Sequence, residues 1–426
     1  MKKIACFFVV ILLMGCFALV GCRETAPAAP SAPTAQQAAD EEVARVSLAD
    51  YEFDLVYMIE EDKADPAASY YYLCRTEDGE TDGVVYGYRD LCYDESKSYR
   101  YFDAYSSAPL SQLDPDTPVL VYLHGGGWFF GNRHHDRELM AYFARAGFVV
   151  ISMEYALLCG LNQLPDTYKG ISRNEQGDLL SQLVDPETPV CISDMMDDVR
   201  ACLTALSATY LPEWGLNATK VGLCGYSAGG HLASLYAYKY NDAPLKAGFL
   251  LSLVGPVSLI DPGYLKVLDK LIDSVIYSAL LPAVANTLAY AVGSEEPLNV
   301  TTEEGYAGLM AAIHQWQPVD YITRDSVPSI LCYAGWDGTD NVYDEDFYTR
   351  DPLSFEAPSD TLVPVSVYDT YLAKLQECGV VHTAKLWQDH THVSAGTSTE
   401  TMRWMAERAK AYANLYLRNY EQTETR

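Results

Sequence analysis

A serine lies between two glycines in the segment 225–229, which reads Gly-Tyr-Ser-Ala-Gly and fits the pattern Gly-x-Ser-x-Gly. The apolar segment 221–224 before it is strand-like, and the segment that starts near His231 after it is helix-like. A serine on such a strand-to-helix turn has a strained backbone and an exposed hydroxyl, and the helix N-terminus stabilises negative charge beside it. The motif in this setting predicts that Ser227 is a nucleophile for acyl transfer.

Three consecutive glycines follow His124, directly after the strand-like segment 119–123 and about 100 residues before the serine. A tetrahedral intermediate needs preorganised N–H donors around its oxyanion, and glycines allow the backbone to approach closely enough to supply them. We therefore expect the N–H groups of Gly125, Gly126 and Ala228 to form an oxyanion hole.

These motifs resemble those of an α/β-hydrolase, specifically the hormone-sensitive-lipase and feruloyl-esterase-like (BD-FAE-type) carboxylesterase group. The resemblance extends over residues 115–420 and is carried by three segments, 124–131, 198–206 and 225–233. It implies a mostly parallel central sheet with helices on both faces and a helical lid insertion. It also implies a catalytic order of oxyanion loop, serine, aspartate and histidine along the chain.

Two aspartates could supply the acid that this resemblance implies. Asp360 precedes Val363 and Pro364 in the way that the acid of the group usually does, which makes it the preferred assignment. An insertion at 337–359 departs from the usual loop, and its first residue, Asp337, lies closer to the preceding strand and is the rival.

Two histidines follow the last predicted strand and compete for the role of base. Relatives with paired histidines resemble His-x-His-x-Ser, in which the second histidine acts. His392 is followed by Ser394 at the matching distance, so the resemblance favours His392 over His390. Which imidazole reaches Ser227 is a question of geometry.

Apolar strands alternate with amphipathic helices over the rest of the chain, which predicts a mostly parallel sheet covered on both faces. The predicted strands are 119–123, 148–153, 220–224, 247–254, 329–333 and 383–387, and the predicted helices are 137–146, 194–210, 231–240, 368–378 and 402–417. A Tyr-rich region, 45–110, contains short alternating segments at 70–73, 84–88 and 99–105 that predict antiparallel strands. It is interpreted either as an extra sheet edge or as a recognition element.

Insertions interrupt this alternation within the predicted catalytic domain, 45–426. Residues 156–193 form a long insertion, 260–317 contain helical segments that predict a lid or cap, and 337–360 form a strongly acidic loop.

The N-terminal residues 1–22 have the composition of an export signal. Lys2 and Lys3 precede an apolar run, 4–20, and the run ends at Gly21 and Cys22. This ending resembles the lipobox of bacterial lipoproteins, which implies cleavage before Cys22 and lipidation of that cysteine. The alternative is an uncleaved anchor helix, and either form places the rest of the chain outside the cytoplasm on a bacterial membrane. The Ala- and Pro-rich residues 23–44 predict a disordered linker.

The chain of 426 residues has a net charge of −29, and 49% of its residues are hydrophobic. Such composition excludes a wholly disordered chain, and the negative charge disfavours binding to nucleic acid. Disulfides could join Cys74 to Cys92 and Cys159 to Cys191. No cysteine and histidine spacing predicts a metal site, and the expected chemistry requires no cofactor.

The predicted function is hydrolysis of small or short-acyl carboxylic esters by a serine carboxylesterase that works through an acyl-enzyme. A serine peptidase or amidase on the same fold is the first alternative, because fold and triad do not determine the leaving group. A non-catalytic lipoprotein that binds a ligand is the second.

Overall fold

A computed structural model describes residues 34–48, 54–57, 68–75, 81–158, 190–261, 292–293, 302–335 and 363–417. Its strands are β1 (Asp54–Tyr57), β2 (Tyr70–Arg75), β3 (Thr81–Cys92), β4 (Tyr101–Ser106), β5 (Val119–Leu123), β6 (Val149–Met153), β7 (Lys220–Tyr226), β8 (Lys246–Leu253), β9 (Ser329–Ala334) and β10 (His382–Trp387). Within the described residues, these ten strands form one sheet in the order β1-β2-β3-β4-β6-β5-β7-β8-β9-β10.

The six strands from β5 to β10 are parallel, and they form the core of the sheet. All residues of β5, β6 and β9 are buried, as expected for strands that are covered on both faces. The predicted mostly parallel sheet is confirmed. The carboxyl ends of parallel strands meet at one edge of a sheet, which brings the loops after β5 and β7 together.

The Tyr-rich region forms an antiparallel extension of this sheet. Strands β1 to β4 pair antiparallel with one another in sequence, and β4 pairs antiparallel with β6. The predicted antiparallel strands are confirmed. The described part of the region forms an extra sheet edge, which is the first of its two interpretations.

Helices cover both faces of the sheet. They are α1 (Ala35–Arg45), α2 (Arg137–Arg145), α3 (Ile192–Ala205), α4 (Ala228–Leu235), α5 (Glu303–His314), α6 (Val365–Cys378), α7 (Ser394–Thr397) and α8 (Thr399–Tyr416). Shorter elements are a helix at Leu211–Glu213, π-helical turns at Leu206–Tyr210 and Tyr236–Tyr240, and 3₁₀ turns at Leu110–Gln112 and Pro318–Tyr321. Alternate residues of β5 show the two faces. Val121 packs in one core with α3 and α4, whereas Leu120 and Tyr122 pack in a second core with α2 and α8.

Helix α1 contradicts the second half of the predicted disordered linker, 23–44, and residues 23–33 lie outside the described residues. Thr34 caps the helix, since its hydroxyl accepts from the Gln37 N–H and the Gln37 side chain accepts from the Thr34 N–H in return. The Gln36 side chain bonds the backbone of His382 in β10, and Asn414 of α8 donates to Glu42 at 2.8 Å. These contacts with the folded domain order the second half of a segment whose composition alone indicates flexibility.

The predicted disulfide between Cys74 and Cys92 is also wrong, because Cys92 forms no disulfide. Cys159 of the other predicted pair lies outside the described residues. Several other predictions lie outside the described residues: the signal segment 1–22 with Cys22, most of the lid 260–317, and the acidic loop 337–360. In the parts of the chain that are described, no helix combines the length and the apolar composition needed to cross a bilayer.

Candidate active site

Ser227 lies on the turn between β7 and α4, and its backbone adopts φ 53° and ψ −120°. Non-glycine residues rarely adopt this conformation, which costs about 1–3 kcal/mol and is typical of functional positions. The Ser227 N–H donates to the Leu253 carbonyl at 2.8 Å, and its carbonyl accepts from the His231 N–H at 3.0 Å. Neighbouring elements thus hold the strained turn, and Ser227 stays partly exposed.

The glycines on either side of the serine allow the turn to be this tight. A Cβ atom on Gly229 would lie 2.0 Å from the Leu123 carbonyl oxygen, and one on Gly225 would lie 2.1 Å from the Gly229 carbonyl oxygen. Both contacts are with backbone atoms and cannot be relieved by a side-chain rotation. The motif therefore reflects close packing of the turn against β5 as well as conformational freedom.

The loop 124–131, here called the oxyanion loop, lies next to the serine. A Cβ atom built on Gly125 would be 3.3 Å from the Cβ of Ser227. Gly126 and Gly127 have positive φ angles of 127° and 60°, and the Gly126 carbonyl accepts from the Phe130 N–H at 2.9 Å, which closes the loop.

The three predicted oxyanion donors fit this arrangement. In the described parts of the chain, the N–H groups of Gly125, Gly126 and Ala228 donate no hydrogen bond. Uncommitted N–H donors on the oxyanion loop and on the residue after the partly exposed Ser227 are the groups that a developing oxyanion requires.

His392 lies beside the serine turn, and His390 does not. Tyr226, the residue before the serine, donates its hydroxyl to the His392 carbonyl at 2.9 Å, and the rings of Tyr226 and His392 stack with centroids 5.4 Å apart. The His390 ring is instead 3.0 Å from the Ser398 hydroxyl at the start of α8. This placement favours His392 as the base. Asp360 and Asp337 lie outside the described residues.

His231, one turn into α4, joins the serine helix to the oxyanion loop. The indole N–H of Trp128, a residue with φ 65°, donates to His231 Nδ1 at 3.2 Å. Since Nδ1 accepts, the other ring nitrogen carries the proton, and Nε2 donates to the Trp316 carbonyl at 2.8 Å. No sequence motif indicates this link.

His231 should make the fold sensitive to acid. Burial lowers the pKa of His231 from its ordinary value of 6.5 to about 4. As the pH falls, the unfolded chain takes up a proton at this histidine before the folded chain does. The contribution of His231 to the free energy of unfolding is therefore complete above pH 6.5 and is lost as the pH falls towards 4. We expect this histidine to account for about 3 kcal/mol of acid destabilisation. Urea unfolding of the wild type and His231→Gln at pH 7 and pH 4 measures it, and an equal pH effect in both proteins would contradict the assignment.

A buried network of charged side chains supports the oxyanion loop from behind. His124 Nε2 lies 3.3 Å from Glu154, whose other oxygen lies 3.4 Å from the Arg133 guanidinium. Arg133 also donates to Asp103 at 3.0 Å, and Asp103 meets the His134 ring at 2.8 Å. Burial by itself raises the pKa of Asp103 and of Glu154, but the histidine and the arginine that face each carboxylate outweigh it and hold both pKa values below the ordinary range. Sequence reasoning missed Asp103, Arg133 and Glu154.

Comparison with known proteins agrees with this geometry. Residues 106–171, which contain the oxyanion loop, match the BD-FAE family model. The fold is similar to that of an inhibited esterase B from Lactobacillus rhamnosis, with a TM-score of 0.50 and 20% identity over 80% of this chain and 88% of that chain. The protein has the α/β-hydrolase fold. The fold predicted from the sequence is confirmed.

Two curated relatives match part of this chain. A probable carboxylic ester hydrolase, LipM, from Mycobacterium tuberculosis is 27% identical over 169 residues, which are 38% of this chain and 32% of the relative. An acetyl esterase from Salmonella schwarzengrund is 26% identical over 151 residues, which are 35% of this chain and 36% of the relative. The matches thus span about a third of the length of these relatives.

Proposed function

We propose that the protein is a serine carboxylesterase that hydrolyses small or short-acyl carboxylic esters. The observation that carries this proposal is the strained Ser227, held at φ 53°, together with the N–H groups of Gly125, Gly126 and Ala228, which donate no hydrogen bond within the described residues. The resemblance to ester hydrolases in separate comparisons supports the reaction class, and the acetyl esterase among them supports a short acyl group.

The proposed reaction proceeds through an acyl-enzyme. His392 accepts the proton of the Ser227 hydroxyl as its oxygen attacks the ester carbonyl, while Asp360 orients the imidazolium. The N–H groups of Gly125, Gly126 and Ala228 bind the oxyanion. The intermediate collapses when His392 gives its proton to the departing alcohol. Water then attacks the acyl-enzyme with His392 as base, which releases the acid and restores the serine.

This proposal can be tested by measuring the rate at which the full chain hydrolyses a series of p-nitrophenyl esters from acetyl to dodecanoyl. We expect turnover that falls steeply beyond the butanoyl ester and disappears in Ser227→Ala. Matched p-nitroanilides distinguish an esterase from an amidase. Turnover of the anilides alone would move the assignment to amide substrates, and inertness towards both series would contradict hydrolysis.

We also propose that Cys22 is lipidated and anchors the enzyme on the extracytoplasmic side of a bacterial membrane. The basic residues Lys2 and Lys3, the apolar run that follows, and the lipobox-like ending at Cys22 support this location. Cells that express the protein can be fed a labelled fatty acid. We expect the wild-type protein to carry the labelled fatty acid and Cys22→Ala to lack it. Labelling that persists in the variant would refute the anchor.

A further inference from the structure

The side chain of Tyr226 lies where three segments of the candidate site meet. Tyr226 is the last residue of β7, directly before Ser227, and its backbone pairs with Leu253 of β8. The other two segments are the oxyanion loop and residues 391–397, here called the histidine turn, which contain His392 and α7. Different parts of the Tyr226 ring contact each of them.

One corner of the ring fills the space beside the oxyanion loop. A Cβ atom built on Gly125 would lie 2.9 Å from Cδ1 of Tyr226, whereas carbon atoms in contact are about 3.5–4.0 Å apart. Unlike Gly126 and Gly127, Gly125 does not have a positive φ angle. The nearby ring therefore gives a steric reason for the glycine at position 125.

The opposite corner of the ring lies against the histidine turn. A Cβ atom built on Gly396 would be 3.5 Å from both Cε2 and Cζ of Tyr226, an ordinary contact distance. Since Cδ1 and Cε2 are opposite atoms of the ring, the phenol group lies between the oxyanion loop and α7.

Two further contacts constrain His392 itself, which is buried. The Tyr226 hydroxyl donates to the His392 carbonyl at 2.9 Å, which constrains the backbone. The two rings stack with centroids 5.4 Å apart and an interplanar angle of 30°, which constrains the imidazole. One tyrosine thus contacts both parts of the residue that determine where the imidazole lies.

Hydrogen bonds within the histidine turn fix its shape. The Ser394 hydroxyl accepts from the Thr391 N–H at 2.7 Å, the Thr391 hydroxyl accepts from the Ser394 N–H at 3.1 Å, and the Ala395 N–H donates to the Thr391 carbonyl at 3.0 Å. These bonds are internal, so they do not determine the distance from the turn to Ser227. Contacts from outside the turn are needed for that, and Tyr226 provides two.

We propose that Tyr226 is a positioning residue that holds the imidazole of His392 within reach of the Ser227 hydroxyl. A general base acts only at about 2.6–3.2 Å from the group whose proton it accepts, and a displacement of about 1 Å can lower the rate about 100-fold. Tyr226 is covalently joined to Ser227, so it ties the base directly to the nucleophile. This role rests on the proposed function, because it acts through the base.

Two substitutions separate the hydroxyl from the ring. Tyr226→Phe keeps the ring and its packing and removes the hydrogen bond, whereas Tyr226→Leu also removes the stacking. We expect kcat for p-nitrophenyl acetate to fall about tenfold in Tyr226→Phe and about 100-fold in Tyr226→Leu, with KM within twofold, because the base is displaced. The rate is expressed per reactive serine, counted by titration with a p-nitrophenyl phosphonate. A purely structural role would reduce the number of titrated serines and leave kcat per serine unchanged.

Tyr210→Phe is the matched control. The Tyr210 hydroxyl also donates to a backbone carbonyl, that of Cys92 at 2.6 Å, and its ring packs on Phe102 and Trp214. This variant loses the same kind of hydrogen bond outside the three segments, so kcat should stay within about twofold of the wild type. An equal loss of kcat in Tyr210→Phe and Tyr226→Phe would overturn the proposal.

The hold on His392 can also be measured without any activity. Carbon-13 relaxation of histidine labelled at Cε1 in the full chain reports the mobility of each ring, and His392→Ala identifies the signal. We expect the His392 ring to be rigid in the wild type and in Tyr210→Phe, and more mobile in Tyr226→Phe and most of all in Tyr226→Leu. An equally rigid ring in all four proteins would overturn the proposal.

The outcomes separate this inference from the proposed function. A wild type that neither reacts with the phosphonate nor turns over ester contradicts the esterase assignment, while the relaxation measurement still decides whether Tyr226 holds His392. Unchanged kcat per serine in both Tyr226 variants of an active enzyme refutes the positioning role alone. If Tyr226→Leu does not fold, Tyr226→Phe still provides both measurements.

Discussion

Replacing Ser227 with alanine or glycine is expected to lower kcat/KM for a short-chain ester by about 10⁵-fold. The attacking oxygen is lost in both variants, and the donors that remain around the oxyanion cannot replace it. The two variants should differ in stability, because alanine keeps a Cβ atom in the strained conformation at φ 53° and glycine does not. We expect Ser227→Gly to unfold with a free energy about 1 kcal/mol higher than Ser227→Ala.

Kinetics on p-nitrophenyl acetate and urea unfolding on the same preparations provide both measurements. Residual activity within 100-fold of the wild type in either variant would exclude Ser227 as the nucleophile. A glycine variant less stable than the alanine variant would show that the backbone at this position is not strained, which would remove the observation that carries the proposed function.

The parallel strands were predictable because burial on both faces requires uninterrupted apolar residues. Strand β5 has the predicted bounds, since Pro118 precedes it and the oxyanion loop follows it. Strand β7 extends past its prediction to Tyr226, because Gly225 and Tyr226 still pair with Ser252 and Leu253 of β8. Gly225 interrupts the apolar pattern that predicts a strand, but pairing with β8 extends the strand through this position.

Helix boundaries depend more on tertiary contacts. Helix α4 begins at Ala228, three residues before the predicted start at His231, although Gly229 and Gly230 are weak helix formers. A side chain at either glycine would collide with the backbone of β5 or of Gly255. Helix α1 depends on partners in β10 and α8 that lie more than 300 residues away, which no local pattern reveals.

Some residues of the site belong to short sequence motifs, and others are brought to the site only by the fold. Ser227 and the glycines of the oxyanion loop are contained in short motifs whose chemistry depends on spacing, so the sequence predicts them. Glu154 and Asp103 resemble any other acidic residue in the sequence of a chain with 58 acidic residues. Their role is visible only when the sheet brings β4 and the end of β6 behind the loop.

The two histidines after β10 allow the sharpest test of the proposed base. We expect His392→Ala to lower kcat/KM by about 10⁴- to 10⁶-fold, as the loss of a triad base does in serine hydrolases. His390→Ala should lower it less than tenfold, because the His390 ring contacts Ser398, which caps α8, and not the serine turn.

The matched pair also separates catalysis from folding. Loss of the contact with Ser398 should reduce the free energy of unfolding of His390→Ala by about 1 kcal/mol, since it weakens a helix cap. Truncation of the His392 ring removes its stacking on Tyr226 but leaves the hydrogen bond from Tyr226 to the backbone. Steady-state kinetics with urea unfolding of both variants measures the two effects. Loss of activity in His390→Ala with an active His392→Ala would reverse the assignment, because the base would then be the histidine beside α8.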